Sequence, residues 1–139
     1  MKNKFIYIIF LILLNLNSSK FALAEEFIFE VSNLEITNNG NTYKGKNRGK
    51  IISNTKLELV SDYFEYSKQT NKLEVKGNVK LIDIKNNITI NAETILYLKN
   101  EEKISTQGKT SINISNKYKI EGYDLTLLNN KMILSSDKN

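Results

Sequence analysis

One feature constrains this chain more than any other: a unit of sequence occurs twice, without a gap, at an offset of 31 positions. The first copy runs from Leu57 to Lys68 and on from Asn71 to Leu81. The second runs from Ile88 to Lys99 and on from Glu102 to Ile112. Matched pairs include Leu59/Ile90, Asp62/Glu93, Phe64/Ile95, Tyr66/Tyr97, Leu73/Ile104, Gly77/Gly108 and Leu81/Ile112. A shorter third copy starts near Tyr118, with Asp124 falling 31 positions after Glu93. The stretch Ile36 to Gly49 matches loosely. A short unit of this kind cannot bury its apolar face alone, so neighbouring units must stack.

Within each unit the apolar residues alternate. Phe27, Phe29 and Val31 do so, as do Leu57 and Leu59, Leu73 and Val75, Val79 and Leu81, Ile88 and Ile90, and Ile112 and Ile114. Period two is the mark of strands with one buried face. Polar clusters separate the runs: Asn38 to Asn41, Lys68 to Asn71, Gly77-Asn78, Lys85 to Asn87, Asn100 to Glu102 and Asn129-Asn130. No stretch after Ala24 keeps a helical period. The expectation is an all-β domain of many strands: a sandwich, a jellyroll or a solenoid.

Parity adds a detail. Leu57, Leu59 and Ser61 are odd-numbered, whereas Phe64 and Tyr66 are even-numbered. If both sets face inward, the chain switches faces near Asp62-Tyr63. Ser61-Asp62 and Ala92-Glu93 then mark corners or bulges. Gly77 and Gly108 lie inside strand-like runs, a sign of a bend or of close backbone approach.

The N-terminus reads as a secretory leader. Lys2 and Lys4 precede an apolar run of ten residues, Phe5 to Leu14, and Ala22-Leu23-Ala24 follows a polar stretch. This is the order of a cleaved signal peptide, and the run is short of the roughly 20 residues a membrane span needs. Residues 1–24 are therefore expected to be removed, leaving a domain of 115 residues from 25 to 139. The leader holds Lys2, Lys4 and Lys20, so the formal charge of +5 falls to +2, with 17 basic and 15 acidic residues. That is too mild a balance for a nucleic-acid footprint. Arg48 is the sole arginine, and arginine is the preferred bidentate reader of phosphate.

The chain has no Cys and no His. A Ser-His-Asp or Cys-His nucleophile cannot be assembled from it, nor a zinc site of His and Cys. Carboxylates remain available. Asp62, Glu93 and Asp124 recur once per unit, and catalysis would require them to converge. Stacking instead puts them in a row, each holding a local corner. Tyr66 and Tyr97 are expected to stack as a pair in the core. Lys68, Lys72, Lys99 and Lys103 read as solvated turn residues. No cofactor is expected.

The stretch from Ser61-Asp62-Tyr63-Phe64-Glu65-Tyr66 through Asn71-Lys72-Leu73-Glu74-Val75-Lys76-Gly77-Asn78-Val79-Lys80-Leu81 resembles the OstA-like family of lipopolysaccharide-transport proteins. The family comprises LptA and the N-terminal domain of LptD. The second copy repeats the pattern more loosely, and the likeness extends from about Phe27 to Ser136. The resemblance implies an open, repetitive β-jellyroll enclosing an apolar groove. It also implies a periplasmic location, in or near the outer-membrane pathway, and a role in holding the acyl chains of lipopolysaccharide. It implies edge-strand pairing with other jellyrolls of the transport machinery. The ending from Asp124 to Ser136 is more similar to the close of the LptD domain, which leaves open a bridge protein, a split protein or a truncated frame.

The alternating inward positions supply the candidate groove lining: Leu57, Leu59, Phe64, Leu73, Val75, Leu81, Ile88, Ile90, Ile95, Ile104, Ile112 and Ile120. Two rivals stand beside a lipid carrier. One is a structural β-solenoid or adhesin-like module with a solid core; the other is a carboxylate-dependent hydrolase.

Overall fold

The computed structural model describes residues 27–128 and 133–136. The expected leader and the Asn129-Asn130 turn lie outside the described residues. The described chain is all-β apart from a 3₁₀ turn at Lys99–Glu101. Its strands are β1 (Phe27–Glu30), β2 (Asn33–Thr37), β3 (Thr42–Ser53), β4 (Leu57–Ser67), β5 (Lys72–Asp83), β6 (Ile88–Leu98), β7 (Lys103–Gln107), β8 (Lys109–Ile114), β9 (Tyr118–Tyr123), β10 (Leu125–Leu128) and β11 (Ile133–Ser136).

All pairings are antiparallel, and the chain meanders from one end of the sheet to the other. The units are not coils of a solenoid. The strands β3 to β6 are 11 or 12 residues long, and each passes through a corner. On one side of the corners β1, β3, β4, β5, β6, β8 and β9 pair in that order. On the other side the order is β2, β3, β4, β5, β6, β7, β10 and β11. The result is one open sheet folded into two facing half-sheets. Among the described residues it does not close: β1 and β2 form one edge, β9 and β11 the other.

The corners explain the parity shift. Between Lys46 and Gly49, β3 carries one residue more than β4 opposite it; between Lys76 and Val79, β5 carries one more than β6. An extra residue in one strand of a pair bends the sheet. The strands on the short side switch parity: Leu59 and Ser61 are buried, then Phe64 and Tyr66; Ile90 is buried, then Ile95 and Tyr97. The switch expected near Asp62 and Glu93 is present. Gly77-Asn78 is a corner inside β5, the bend that a glycine within a strand-like run suggests, and not a turn between strands. Asn47 and Arg48 form the matching corner of β3, with φ of 65° and 53°. Left-handed backbone falls mainly on Asn in this chain, at positions 38, 39, 47, 71, 78, 87 and 116. Asn is among the few non-Gly residues that adopt this conformation readily, which accounts for the abundance of Asn in turns and corners.

Two corner glycines combine positive φ with close approach to an acidic side chain. Gly77 and Gly108 have φ of +78° and +79°. A Cβ there would lie 2.8 Å from Asp62 Oδ2 at the first and 2.8 Å from Glu93 Oε2 at the second. Gly40 also has positive φ, +84°, but nothing stands within 4 Å of its missing Cβ. Alanine should therefore cost about 1 to 2 kcal/mol at Gly40 from backbone strain alone, and roughly 2 to 3 kcal/mol at Gly77, where Asp62 Cβ stands 3.0 Å from the added carbon. Urea unfolding of the two variants measures the difference. Equal midpoints would mean that the acid does not close the corner.

Candidate functional site

Every long strand sends one set of side chains between the half-sheets. Eleven of the twelve candidate lining residues are no more than 2% exposed, and Ile120, on the edge strand β9, is half-buried. They gather into one cluster with Phe27, Ile51, Tyr66, Val79, Tyr97, Leu125 and Leu127. None of those seven is among the twelve expected positions. The alternation of Phe27 with Phe29 and of Leu125 with Leu127 carried the signal for three of them, Phe27, Leu125 and Leu127. Ile51 was hidden because Ile52 follows it.

The interior is almost wholly apolar, and its few polar groups are locally satisfied. Asp83 is 3% exposed and accepts hydrogen bonds from Asn86 N at 3.0 Å and Asn86 Nδ2 at 2.6 Å. This carboxylate fixes the turn between β5 and β6. Thr110 Oγ1 donates to Thr106 Oγ1 at 2.7 Å, and Leu125 N donates to Thr106 Oγ1 at 2.9 Å. Among the described residues no buried side-chain nitrogen or oxygen lacks a partner. Satisfied polar groups of this kind hold corners and turns without opening the core to water.

The β1 end of the interior is aromatic. Phe27 meets Tyr66 edge-on at 4.9 Å and Tyr97 at 6.4 Å. Tyr66 and Tyr97 were expected to stack on each other; Phe27 stands against both. Phe29 stacks on Phe64 at 4.9 Å and on Tyr43 at 5.4 Å. Phe64 in turn lies over Gly45, directly opposite it in the β3–β4 pairing, where a Cβ would collide with the ring. Phe27 pairs with Ser53 at the free end of one half-sheet, while Tyr66 and Tyr97 belong to the other. The ring of Phe27 therefore joins the two half-sheets across their mouth.

Apart from Asp83, the charged side chains of the described residues lie outside the core. Lys50–Glu58 at 2.9 Å, Lys76–Glu74 at 2.8 Å and Lys119–Glu121 at 2.7 Å are exposed or half-exposed pairs, each of small energetic value. The Lys119 ammonium, by hydrogen bond and by charge, holds the Glu121 carboxyl below its ordinary range. Partial burial, followed by its hydrogen bond to Glu65, raises the Tyr63 phenol. Two of the three recurring acids make the corner bonds expected of them. Asp62 accepts from Asn78 Nδ2 at 2.7 Å and Arg48 at 3.1 Å, and Asp124 Oδ1 accepts from Gly108 N at 2.9 Å. Glu93 packs against Gly108. Lys68 is exposed in its turn, and its ammonium lies over the Tyr43 ring at 4.7 Å. Among the described residues no three Asp or Glu come together in a group that could hold a metal ion.

The two edges expose apolar side chains. Ile28, Leu34 and Ile36 are 60%, 42% and 53% exposed on β1 and β2, and Tyr118 and Tyr123 are 68% and 56% exposed on β9. A surface hollow of about 410 Å³ lies beside β2, lined by Ser32, Asn33, Leu34, Glu35, Lys44 and Lys46.

No family model matches the chain, and no curated protein matches it in sequence. Solved structures do match. The chain superimposes on LptH of Pseudomonas aeruginosa with a TM-score of 0.73 at 9% identity, over 83% of this chain and 84% of that one. LptH is described as the LptA-homologous periplasmic component of the conserved lipopolysaccharide transport device. The chain thus shares the fold of an LptA-type jellyroll, as the resemblance in its repeat implied.

Proposed function

We propose that this chain is a non-enzymatic periplasmic protein that holds the acyl chains of lipopolysaccharide between its half-sheets and passes them towards the outer membrane. The observation that carries this reading is an apolar interior running through an open jellyroll of the LptH type. Acyl chains need no ion pair or catalytic group: each buried CH₂ contributes about 0.8 kcal/mol. The edges at β1–β2 and β9–β11 are the surfaces for pairing with other jellyrolls of the transport device. Exposed backbone edges accept strands by main-chain hydrogen bonding. Residues 1–24 serve as the export leader.

A second reading rests on the near-complete burial of the lining. A solid-core structural module would show the same burial and would hold no lipid. One experiment addresses both readings. The full chain is expressed in a Gram-negative envelope, and the periplasmic fraction is analysed by intact and native mass spectrometry. The carrier reading expects a protein beginning at Glu25 with an acylated, phosphorylated glycolipid bound. A lipid-free protein, purified from an envelope rich in lipopolysaccharide, favours the structural module. A product that retains Phe5 to Leu14 refutes the leader.

A further inference from the structure

We infer that the seats of Phe27 and Phe29 are an acyl-chain subsite, filled by the chain's own β1 until lipid displaces it. The inference rests on the carrier reading above and concerns how the interior is reached. β1 is a four-residue edge strand, hydrogen-bonded only to β3. Its inward side chains reach far beyond that one neighbour. Phe27 touches rings on β4 and β6, and Phe29 touches rings on β3 and β4. These contacts span from one half-sheet to the other, so β1 is a wedge in the end of the interior rather than a layer of its wall. Its outward side is unpacked, with Ile28 60% exposed.

Short edge strands with few neighbours belong to the part of a fold that opens first. The wall behind the wedge is different in kind. Leu59, Leu73, Leu81, Ile90 and Ile95 sit on the central strands β4 to β6, which are paired on both sides. If β1 leaves, two phenyl-sized seats open onto Phe64, Tyr66 and Tyr97 without breaking any central pairing. Those seats are apolar, lie at the mouth between the half-sheets and match methylene chains in chemistry. The same departure would free the β3 edge for another strand.

A disulfide lock tests this directly, because the native chain has no cysteine. Ile28 faces Ile52 across the β1–β3 pair, and Glu30 faces Lys50. Directly opposed residues in an antiparallel pair are about 4.5 to 5.5 Å apart at Cα, within disulfide reach. All four side chains point away from the interior, so neither lock alters the seats. Two variants are made, I28C/I52C and E30C/K50C, and each is assayed oxidised and reduced for capture of purified lipopolysaccharide. The expected result is capture by the reduced forms, loss on oxidation and recovery with reductant. Equal capture in both forms overturns the plug and leaves the carrier reading standing. Absence of capture in either form of a folded protein overturns both.

Discussion

Ile90→Asp is expected to abolish the cooperative fold rather than merely weaken lipid binding. Ile90 is 0% exposed on β6, paired with Leu81 on one side and Ile112 on the other. Each of these neighbours is itself no more than 2% exposed. An aspartate there loses the transfer energy of isoleucine and must be buried either charged and unpaired or neutral and poorly bonded. Together these amount to roughly 5 kcal/mol or more, comparable with the whole stability of a small domain. Near-ultraviolet circular dichroism should lose its tyrosine signal at ambient temperature. Thr89→Asp, one position away and pointing outward, should leave it unchanged. A folded Ile90→Asp protein would mean that water already reaches the interior at this point.

Phe64→Ala is expected to cost about 3 to 5 kcal/mol, the usual range for truncating a buried phenylalanine. The ring is 1% exposed, stacks on Phe29 and covers the backbone of Gly45. Losing it leaves both Phe29 and Gly45 facing a void. The complementary change is also informative. Gly45→Ala pushes a methyl group into the ring and should cost about 1 to 3 kcal/mol by overpacking. The double variant should be better than the sum of the two, because the alanine methyl enters the space the ring has left. Denaturant midpoints of the four proteins give the coupling. Strict additivity would show that the ring does not rest on the glycine.

The repeat made much of the fold legible. Matching Asp62 to Glu93 and Gly77 to Gly108 located corners, and the odd-to-even switch at Ser61 and Phe64 located the change of face. The wall was equally readable: eleven alternating positions, from Leu57 to Ile112, are deeply buried. Other features left weaker traces. Gly77-Asn78 resembles a turn because two successive residues with positive φ occur in turns and in bulged corners alike. The corner at Asn47-Arg48 escaped notice because it contains no glycine. The placement of β1 could not be read, since alternation of Phe27 with Phe29 shows that one face is buried but not what it meets. Whether facing walls touch or stand apart is likewise invisible to periodicity, because both arrangements need the same pattern.

The most direct test of the carrier account places a small diazirine-bearing aliphatic residue at Ile90, at Leu73 and at Glu74. Leu73 and Ile90 point into the cluster, whereas Glu74 lies on the outer face between Lys72 and Lys76. Irradiation in an envelope that makes lipopolysaccharide should yield adducts of this glycolipid at Ile90 and Leu73 and none at Glu74. Equal labelling at all three, or no labelling at the two inner positions of a folded protein, would contradict the account and leave a jellyroll with a solid core.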